Sequence, residues 1–493
     1  MTRIDERVGE SDGLAVLEAV VAHDLARLNY PPANWVPPRE GPDGKPVLDV
    51  LAVGAGMCGQ SVAFALTREG VRNIRLIDRQ PESLEGPWGT YARMPTLRSP
   101  KHINGPDLGI PCLTYRAWHE ARFGRDGWDT LYKIDRVAWR DYLLWVRRVV
   151  GLRTENGVEL LSLTEAGSYL RATLRGPAGE ETIHARKVVL ASGRDGSGGA
   201  RWPSFPSLTP GEGDAKGRVF HSFDDIPFET FKGGRIGILG AAATAIDNGC
   251  TALERGVAEA VLFARRPHMP QVNKSKGVSF TGFQRGYAAL DDATRFRIYS
   301  YMFDVQSPPP HESVLRGEKL PGFEVRLGEG WTDVATDATG VTVTTTKGTH
   351  RFDAVIMGTG FDVNVARRPE LAAFVDQIAL WRHRLPGAAA PGANEAADYP
   401  YMGDGFRFVE RTPGAAPRLA DIHLFNYGSI VSQGALAGDI PGLAIGATRV
   451  AHAIVEDLFV ADAARHEQAI YDHEDPELLP TRFFVPREKR TKT

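Results

Sequence analysis

Val47-Leu48-Asp49-Val50-Leu51-Ala52-Val53-Gly54-Ala55-Gly56-Met57-Cys58-Gly59 is an apolar run that stops on a glycine-rich turn and resumes in small residues. Apart from Asp49 the run is apolar on both faces, which reads as a buried strand of a parallel sheet. Its Gly-x-Gly-x-x-Gly turn lets a helix begin with backbone N–H groups facing outward and no side chain in front of them, where a dinucleotide's pyrophosphate fits. One such turn is weak evidence. A second, Gly240-Ala241-Ala242-Ala243-Thr244-Ala245, follows the strand-like run Arg235 to Leu239 and again opens a small-residue helix. Two units in one chain predict an α/β fold of the two-dinucleotide-binding kind. A flavin with a nicotinamide cofactor is the pairing that gives a hydride both donor and acceptor.

Which cofactor goes where is read from the residue that ends the next strand of each unit. Ile74-Arg75-Leu76-Ile77 ends in Asp78, 24 residues after Gly54, where a carboxylate accepts hydrogen bonds from a ribose diol. Gly54, Gly56, Gly59 and Asp78 are therefore the expected adenosine-diphosphate site of FAD. In the second unit Val261-Leu262-Phe263-Ala264 is followed by Arg265-Arg266. Adjacent guanidiniums suit a 2′-phosphate through charge-assisted bonds, so Gly240, Ala242, Ala245, Arg265 and Arg266 are expected to take NADPH. The alternatives are a pair of solvated surface arginines and, at the first turn, a second nicotinamide site.

The 493 residues allow two or three domains, and the formal charge of −3 with mixed placement leaves no basic face for nucleic acid and no polybasic anchor. The expected partners are a small-molecule substrate and O2, with no nucleic acid and no membrane. Met1-Thr2-Arg3-Ile4-Asp5-Glu6 lacks the order of a signal peptide, and the expected compartment is the cytoplasm. Cys58, Cys112 and Cys250 include no Cys-x-x-Cys, which removes a zinc site and a redox disulfide beside the flavin. Cys58 and Cys250 read as small buried residues.

The expected organisation is an N-terminal helical arm over 1–44, the first part of an FAD domain over 45–230, and an NADPH domain over 231–345. The FAD domain returns over 346–493 with a charged, proline-rich tail from Asp472. Ser11 to Asn29 has helical periodicity, Val137 to Val150 reads as a helix, and the stretches at Val158 and Leu170 alternate like antiparallel strands. The NADPH domain carries an irregular aromatic insertion over 267–324 that reads as a roof. Ala354-Val355-Ile356-Met357-Gly358-Thr359-Gly360 is a further strand-to-glycine element. Tyr427-Gly428-Ser429 and Gln433-Gly434 precede Gly438-Asp439-Ile440-Pro441, which is either an approach to the flavin ring or a plain helix start with Pro at its first turn.

Three segments resemble the class B flavin monooxygenases, the grouping of flavin-containing monooxygenases, Baeyer–Villiger monooxygenases and amine N-hydroxylases. Gly86-Pro87-Trp88-Gly89-Thr90-Tyr91 is similar to the family's Gly-Gly-Thr-Trp segment. Asp353 to Phe361 is similar to its Asp-x-x-Ile-x-Ala-Thr-Gly-Phe/Tyr element. Gly217-Arg218-Val219-Phe220-His221-Ser222 resembles its histidine fingerprint, with departures at Ala215 and Asp225 that speak against lactone or ester formation. The resemblance adds Trp88, Gly360 and Asp439 to the FAD residues. It implies hydride transfer from NADPH to flavin and delivery of oxygen from a flavin C4a-hydroperoxide to a soft nucleophile. No general acid or base is required, and His221 and Arg285 are the only candidates for further catalytic roles.

Arg98-Ser99-Pro100-Lys101 and Pro270-Gln271-Val272-Asn273 are similar to amino-acid N-hydroxylase segments in which Lys and Asn hold the substrate's carboxylate and nearby polar atoms. The resemblance thus implies Lys101 and Asn273 as substrate ligands, and N-hydroxylation of a small carboxylate-bearing amine. A surface lysine and a turn-forming asparagine are the alternative. Ketone or sulfide oxygenation, and a plain NADPH:flavin reductase serving a protein partner, remain the rival activities.

Overall fold

The computed structural model describes residues 10–208, 217–385, 387 and 394–483. Met1 to Glu6, Ala215 of the fingerprint and the tail beyond Phe483 lie outside the described residues.

A seven-stranded sheet is built around Leu48–Val53, which pairs in parallel with Ile74–Asp78 on one side and with the end of Gly179–Leu190 on the other. Val50, Leu51 and Ala52 are fully buried, as a strand covered on both faces requires. Gly179–Leu190 serves two ends of the sheet. Its first half pairs antiparallel with Tyr169–Gly176, which pairs with Glu159–Ala166, and its last residues pair in parallel with Leu48–Val53 and Ile422–Leu424. The late strand Ile422–Leu424 returns the chain to the first sheet. The small-residue helix Met57–Arg68 crosses over this sheet, and helix Leu443–Ala461 shares its apolar core through Val62, Leu66, Leu443, Val450 and Ile454.

The second sheet is wholly parallel and five-stranded, in the order Phe323–Leu327, Glu259–Ala264, Arg235–Leu239, Ala354–Met357, Val219–His221. Its helix Ala243–Glu254 packs Ala245, Ile246 and Cys250 against Ile236, Ile238 and Leu262. Two boundaries shift from expectation. Val219–His221 and Ala354–Met357 belong to this sheet although they fall outside 231–345, and Phe323–Leu327 is its edge strand although 267–324 reads as insertion. Short strands with few residues carry too little periodicity to be assigned to a sheet before their partners are known.

The insertion is helical, not irregular, with Thr281–Gly286, Asp292–Val305 and His311–Glu318. Tyr287 and Tyr299 are buried with Trp381, Tyr399 and Val431. The chain passes between the two sheets twice, and the passing segments pair as an antiparallel ribbon of Gly198–Ala200 with Phe361–Val363. A Cβ at Gly198 would lie 2.4 Å from the Asp362 carbonyl oxygen, so only glycine fits this crossing. Helix Glu10–Arg27 buries Val21 and Leu25 against an aromatic cluster that includes Tyr115, Trp118, Trp139 and Tyr142. Among the described residues no helix is long and apolar enough to cross a membrane.

Candidate functional site

At the first turn the three glycines have three different reasons. Gly54 has φ +97°, and a Cβ there would lie 2.6 Å from the Ala191 carbonyl oxygen. A Cβ at Gly59 would fall 1.7 Å from the Gly54 oxygen, so the helix can approach the strand only without a side chain. Gly56 is different, because its Cβ would meet nothing nearer than Gly86 Cα at 3.7 Å. Two glycines thus face each other across a gap with no side chain in it. Helix Met57–Arg68 also has no side-chain N-cap bond, nor does Ala243–Glu254, whereas Thr114, Asp135 and Asp291 cap their helices. Both glycine-turn helices therefore keep amide donors for an outside acceptor, which is the environment a pyrophosphate needs.

Asp78 is buried. One carboxylate oxygen accepts from the Ala55 amide at 2.8 Å and the other from the Gln80 amide at 2.8 Å. Burial raises its pKa, and these two amide bonds work against that rise. The acid braces the turn from below and retains lone pairs for a ribose diol. Trp88 is 9% exposed, packs in the same apolar cluster as Phe64 and Ile440, and has no partner for its indole N–H. An orphaned buried donor two residues after Gly86 fits a ligand with acceptor atoms.

The second turn repeats the plan with Gly240 at φ +113°, its absent Cβ 2.6 Å from the Gly358 oxygen. Ala245 is fully buried, and a Cβ on Gly358 would lie 2.8 Å from Ala245 Cβ. Arg265 and Arg266 are both exposed at the end of Glu259–Ala264. They are not equivalent. Arg266 donates to the Asp304 carbonyl at 2.8 Å, while Arg265 makes no hydrogen bond or ion pair among the described residues.

Each of the two expected substrate ligands has local partners among the described residues. The Lys101 ammonium donates to the Trp128 and Asp129 carbonyls at 2.6 and 3.3 Å and lies 4.9 Å from the centre of the Trp128 ring. It closes the C-terminal end of helix Tyr115–Thr130, a position that favours a cation. Asn273 caps the short turn Lys274–Val278, accepting from the Ser275 amide at 3.1 Å. No hydrogen bond or ion pair joins Lys101 to Asn273 among the described residues; each side chain is engaged in local structure, with Asn273 Oδ1 also 3.5 Å from Ser307 Oγ. Arg285 is exposed on the insertion, and it is its backbone oxygen that accepts from Arg449. His221 is fully buried between Trp202 and Phe223, with Nε2 3.5 Å from Thr359 Oγ1 and no partner for Nδ1. Desolvation pulls its pKa to about 4, which makes it a neutral packing group at pH 7 rather than an acid.

Gly360, at φ +81° with open space where a Cβ would be, follows the second sheet's strand Ala354–Met357. Beside it Phe361 stacks on Phe223 with ring centres 3.6 Å apart. Asp439 opens the turn Ile440–Gly442 and its carboxyl stands open to solvent in a crevice, where the surrounding protein raises its pKa while Arg194 and Arg98 oppose the rise. These two arginines were not singled out from the sequence. Arg194 lies 4.3 Å from the centre of the Tyr427 ring, and Arg98 donates to the Pro308 carbonyl. Neither has an ion-pair partner among the described residues. Arg98 stands three residues before Lys101 and Arg194 directly after Ala191-Ser192-Gly193, but no spacing rule marks either.

The insertion is fastened over the late turn. Tyr287 donates to the Val431 carbonyl at 2.8 Å, and Arg295 donates to the Ser432 carbonyl at 2.9 Å. Tyr399 lies 6.3 Å from Tyr427, ring centre to ring centre, so aromatic side chains extend from the insertion to Arg194.

Two glycine-turn units, one with a bracing acid and one with a free arginine, place the chain among the two-dinucleotide-binding flavoproteins of the class B monooxygenase type. A family described as FAD-NAD(P)-binding matches residues 51–195. The chain is 39% identical over 473 residues to an FAD-dependent urate hydroxylase of Xanthomonas campestris pv. campestris, covering 94% of this chain and 97% of that protein. It belongs to that family of FAD-dependent hydroxylases, and is a flavin monooxygenase that uses FAD and a nicotinamide dinucleotide. The fold is also that of the ornithine hydroxylase of Pseudomonas aeruginosa, with a TM-score of 0.62 at 18% identity over 84% of this chain and 100% of that one. L-lysine 6-monooxygenase of Pseudomonas syringae gives 0.60 at 18% identity, over 83% of this chain and 99% of that one.

Proposed function

We propose that the protein hydroxylates a planar, anionic, urate-like heterocycle at the expense of O2 and NADPH. The observation that carries this reading is the 39% identity to a urate hydroxylase along 94% of the chain. The site agrees with it. Lys101 and Asn273, the basis for an amino-acid substrate, have local partners, whereas Arg98 and Arg194 have no carboxylate partner among the described residues. Guanidinium forks suit the in-plane oxygens and nitrogens of an anionic ring.

The residues of the first turn would hold FAD and those of the second the nicotinamide dinucleotide, which together with O2 would supply the redox chemistry and the oxygen atom. The residues do the rest. Gly54, Gly56 and Gly59 leave the first helix's amides open to the FAD pyrophosphate, Asp78 meets its ribose, and Trp88, Gly360 and Asp439 line the approach to the ring. Gly240, Ala242 and Ala245 do the same for the nicotinamide dinucleotide, and Arg265 is the group free to hold a 2′-phosphate. The insertion, fastened to the late turn through Tyr287, would limit water beside the bound flavin and so suppress wasteful release of H2O2.

N-hydroxylation of an amine is the second reading, supported by the fold shared with the ornithine and lysine enzymes. The test follows NADPH, O2 and H2O2 with urate, ornithine or lysine as sole substrate. Oxygen use that depends on urate, with little H2O2, supports the first reading. Hydroxylamine formation from a diamino acid with none from urate overturns it.

A further inference from the structure

Arg93 stands two residues after the flavin-side segment Gly86 to Tyr91, yet its side chain serves the other half of the molecule. Its guanidinium donates to the Ser222 carbonyl and to the Asp224 carbonyl, each at 2.7 Å, and lies 5.4 Å from the Phe228 ring. These carbonyls belong to the segment that leaves strand Val219–His221 of the second sheet. The backbone oxygen of Arg93 in turn accepts from Arg316 at 3.2 Å. Arg316, on helix His311–Glu318, reaches back to Glu254 at 2.7 Å and Thr251 at 3.3 Å, both on the second glycine-turn helix, and lies 3.6 Å from the buried Asp247. One continuous path of hydrogen bonds thus runs from the second dinucleotide helix through Arg316 and Arg93 to the segment after the fingerprint histidine.

Aromatic packing runs alongside it. Tyr91 meets Phe223 edge-on at 4.9 Å, and Phe223 stacks on Phe361 of the crossing ribbon. A planar fork that spans two carbonyls two residues apart holds orientation as well as distance, which a lysine cannot do. Burial lowers Arg93 to about 10, so it is still a cation at neutral pH, with Asp224 and Asp225 supporting the charge and Arg136 opposing it. The two carbonyls are its compensation for leaving water.

We propose that Arg93 and Arg316 form a strap that fixes the second dinucleotide helix relative to the flavin-side segment, and are positioning residues for hydride transfer. The proposal rests on the assignment of the two turns to FAD and to the nicotinamide dinucleotide, and not on the identity of the oxygenated substrate. The step itself moves one hydride, two electrons and a proton, from nicotinamide C4 to flavin N5, oxidising NADPH and reducing FAD. Small errors in that approach cost rate steeply.

The test compares wild type with Arg93→Ala, Arg93→Lys and Arg316→Gln, without any oxygenation substrate. Three quantities are read: FAD per protein, NADP+ affinity, and the rate of anaerobic flavin reduction at saturating NADPH. A fourth, independent of loaded-enzyme activity, is amide hydrogen exchange over residues 222–231. The strap predicts reduction at least tenfold slower in Arg93→Ala and Arg316→Gln, FAD content and NADP+ affinity within twofold of wild type, and at least tenfold faster exchange over 222–231. Arg93→Lys should recover part of the rate. Wild-type reduction in Arg316→Gln and in whichever Arg93 variant folds overturns the proposal. So does loss of FAD in proportion to lost rate, which would make Arg93 part of the flavin site. If Arg93→Ala does not fold, Arg93→Lys and Arg316→Gln decide. Inactivity toward urate in the wild type would sink the proposed substrate and leave this outcome untouched.

Discussion

At the first turn Gly59 of the helix faces Ala191 of the neighbouring strand end; at the second Ala245 of the helix faces Gly358. The small residue has changed sides. Each unit has room for one methyl group between helix and strand, and each places it on a different partner. The first helix sits closer, since a Cβ at Gly59 would overlap the Gly54 carbonyl at 1.7 Å, while the second tolerates Ala245 at the same place in the motif. The glycine motif is therefore a statement about how closely helix and strand pack, and a missing third glycine predicts a compensating glycine across the gap.

Two substitution cycles should break or sharpen this comparison, and their effects are the largest expected. Gly59→Ala should prevent recovery of folded, flavin-bearing protein, and Ala191→Gly should not rescue it, because the obstacle is backbone. Gly358→Ala should cost about 1–3 kcal/mol of stability through overpacking. Ala245→Gly should restore part of that loss, with the Leu239 carbonyl at 2.8 Å accounting for the remainder. Urea unfolding midpoints of the four second-unit proteins measure the coupling. Full rescue at the first turn, or none at the second, would contradict the packing account.

Each sheet also buries a histidine in one of its short strands, His221 in the second and His423 in the first, and both are fully buried. Desolvation holds them near pKa 4 and 3. Their folded values lie below the ordinary 6.5, so the native state binds fewer protons than the unfolded chain. The stability this contributes is complete above pH 6.5 and declines as pH falls toward 4. For His221 the decline amounts to about 3 kcal/mol. Stability measured from pH 7 to pH 4.5 should fall less steeply in His221→Gln than in wild type, and a slope equal to wild type would refute the neutral, desolvated histidine.

A smaller contrast separates the acid end of the first unit from the basic end of the second. Losing one charge-assisted phosphate contact costs about 1.5–3 kcal/mol, on the order of tenfold to a hundredfold in affinity. Arg265→Ala should lower NADPH affinity by that factor and leave NADH unchanged. Arg266→Ala should do less, because Arg266 is already bound to the Asp304 carbonyl. Nucleotide titrations of both variants decide the order. Equal effects would show that Arg266 leaves its carbonyl for the phosphate.

Both turns, Asp78 and the strands that carry them were legible in the sequence because backbone geometry there admits few residues. Apolar runs covered on both faces and glycines at forced positions leave a local signature. The crevice was not legible. Lys101 and Arg98 sit in one tetrapeptide, and nothing in its composition says that the lysine closes a helix end while the arginine reaches the Pro308 carbonyl, 210 residues away. The return of Val219–His221 and Ala354–Met357 to the second sheet was equally hidden, because strands of three and four residues acquire meaning only from their partners. Arg93 and Arg316 carry no motif at all; their significance lies in carbonyls more than a hundred residues away.

The division of labour between the two turns is tested most directly by blocking each in turn. A Cβ at Gly56 would be in ordinary contact with Gly86, 3.7 Å from its Cα, and Ala242 is exposed, so both Gly56→Val and Ala242→Val should fold with near wild-type melting. The measurement is FAD per protein together with the rate of flavin reduction by NADPH. The account predicts that Gly56→Val purifies without FAD, and that Ala242→Val keeps FAD but is reduced at least tenfold more slowly at a fixed, limiting NADPH concentration. Full FAD content in Gly56→Val, or loss of FAD in Ala242→Val with the first turn intact, would contradict it.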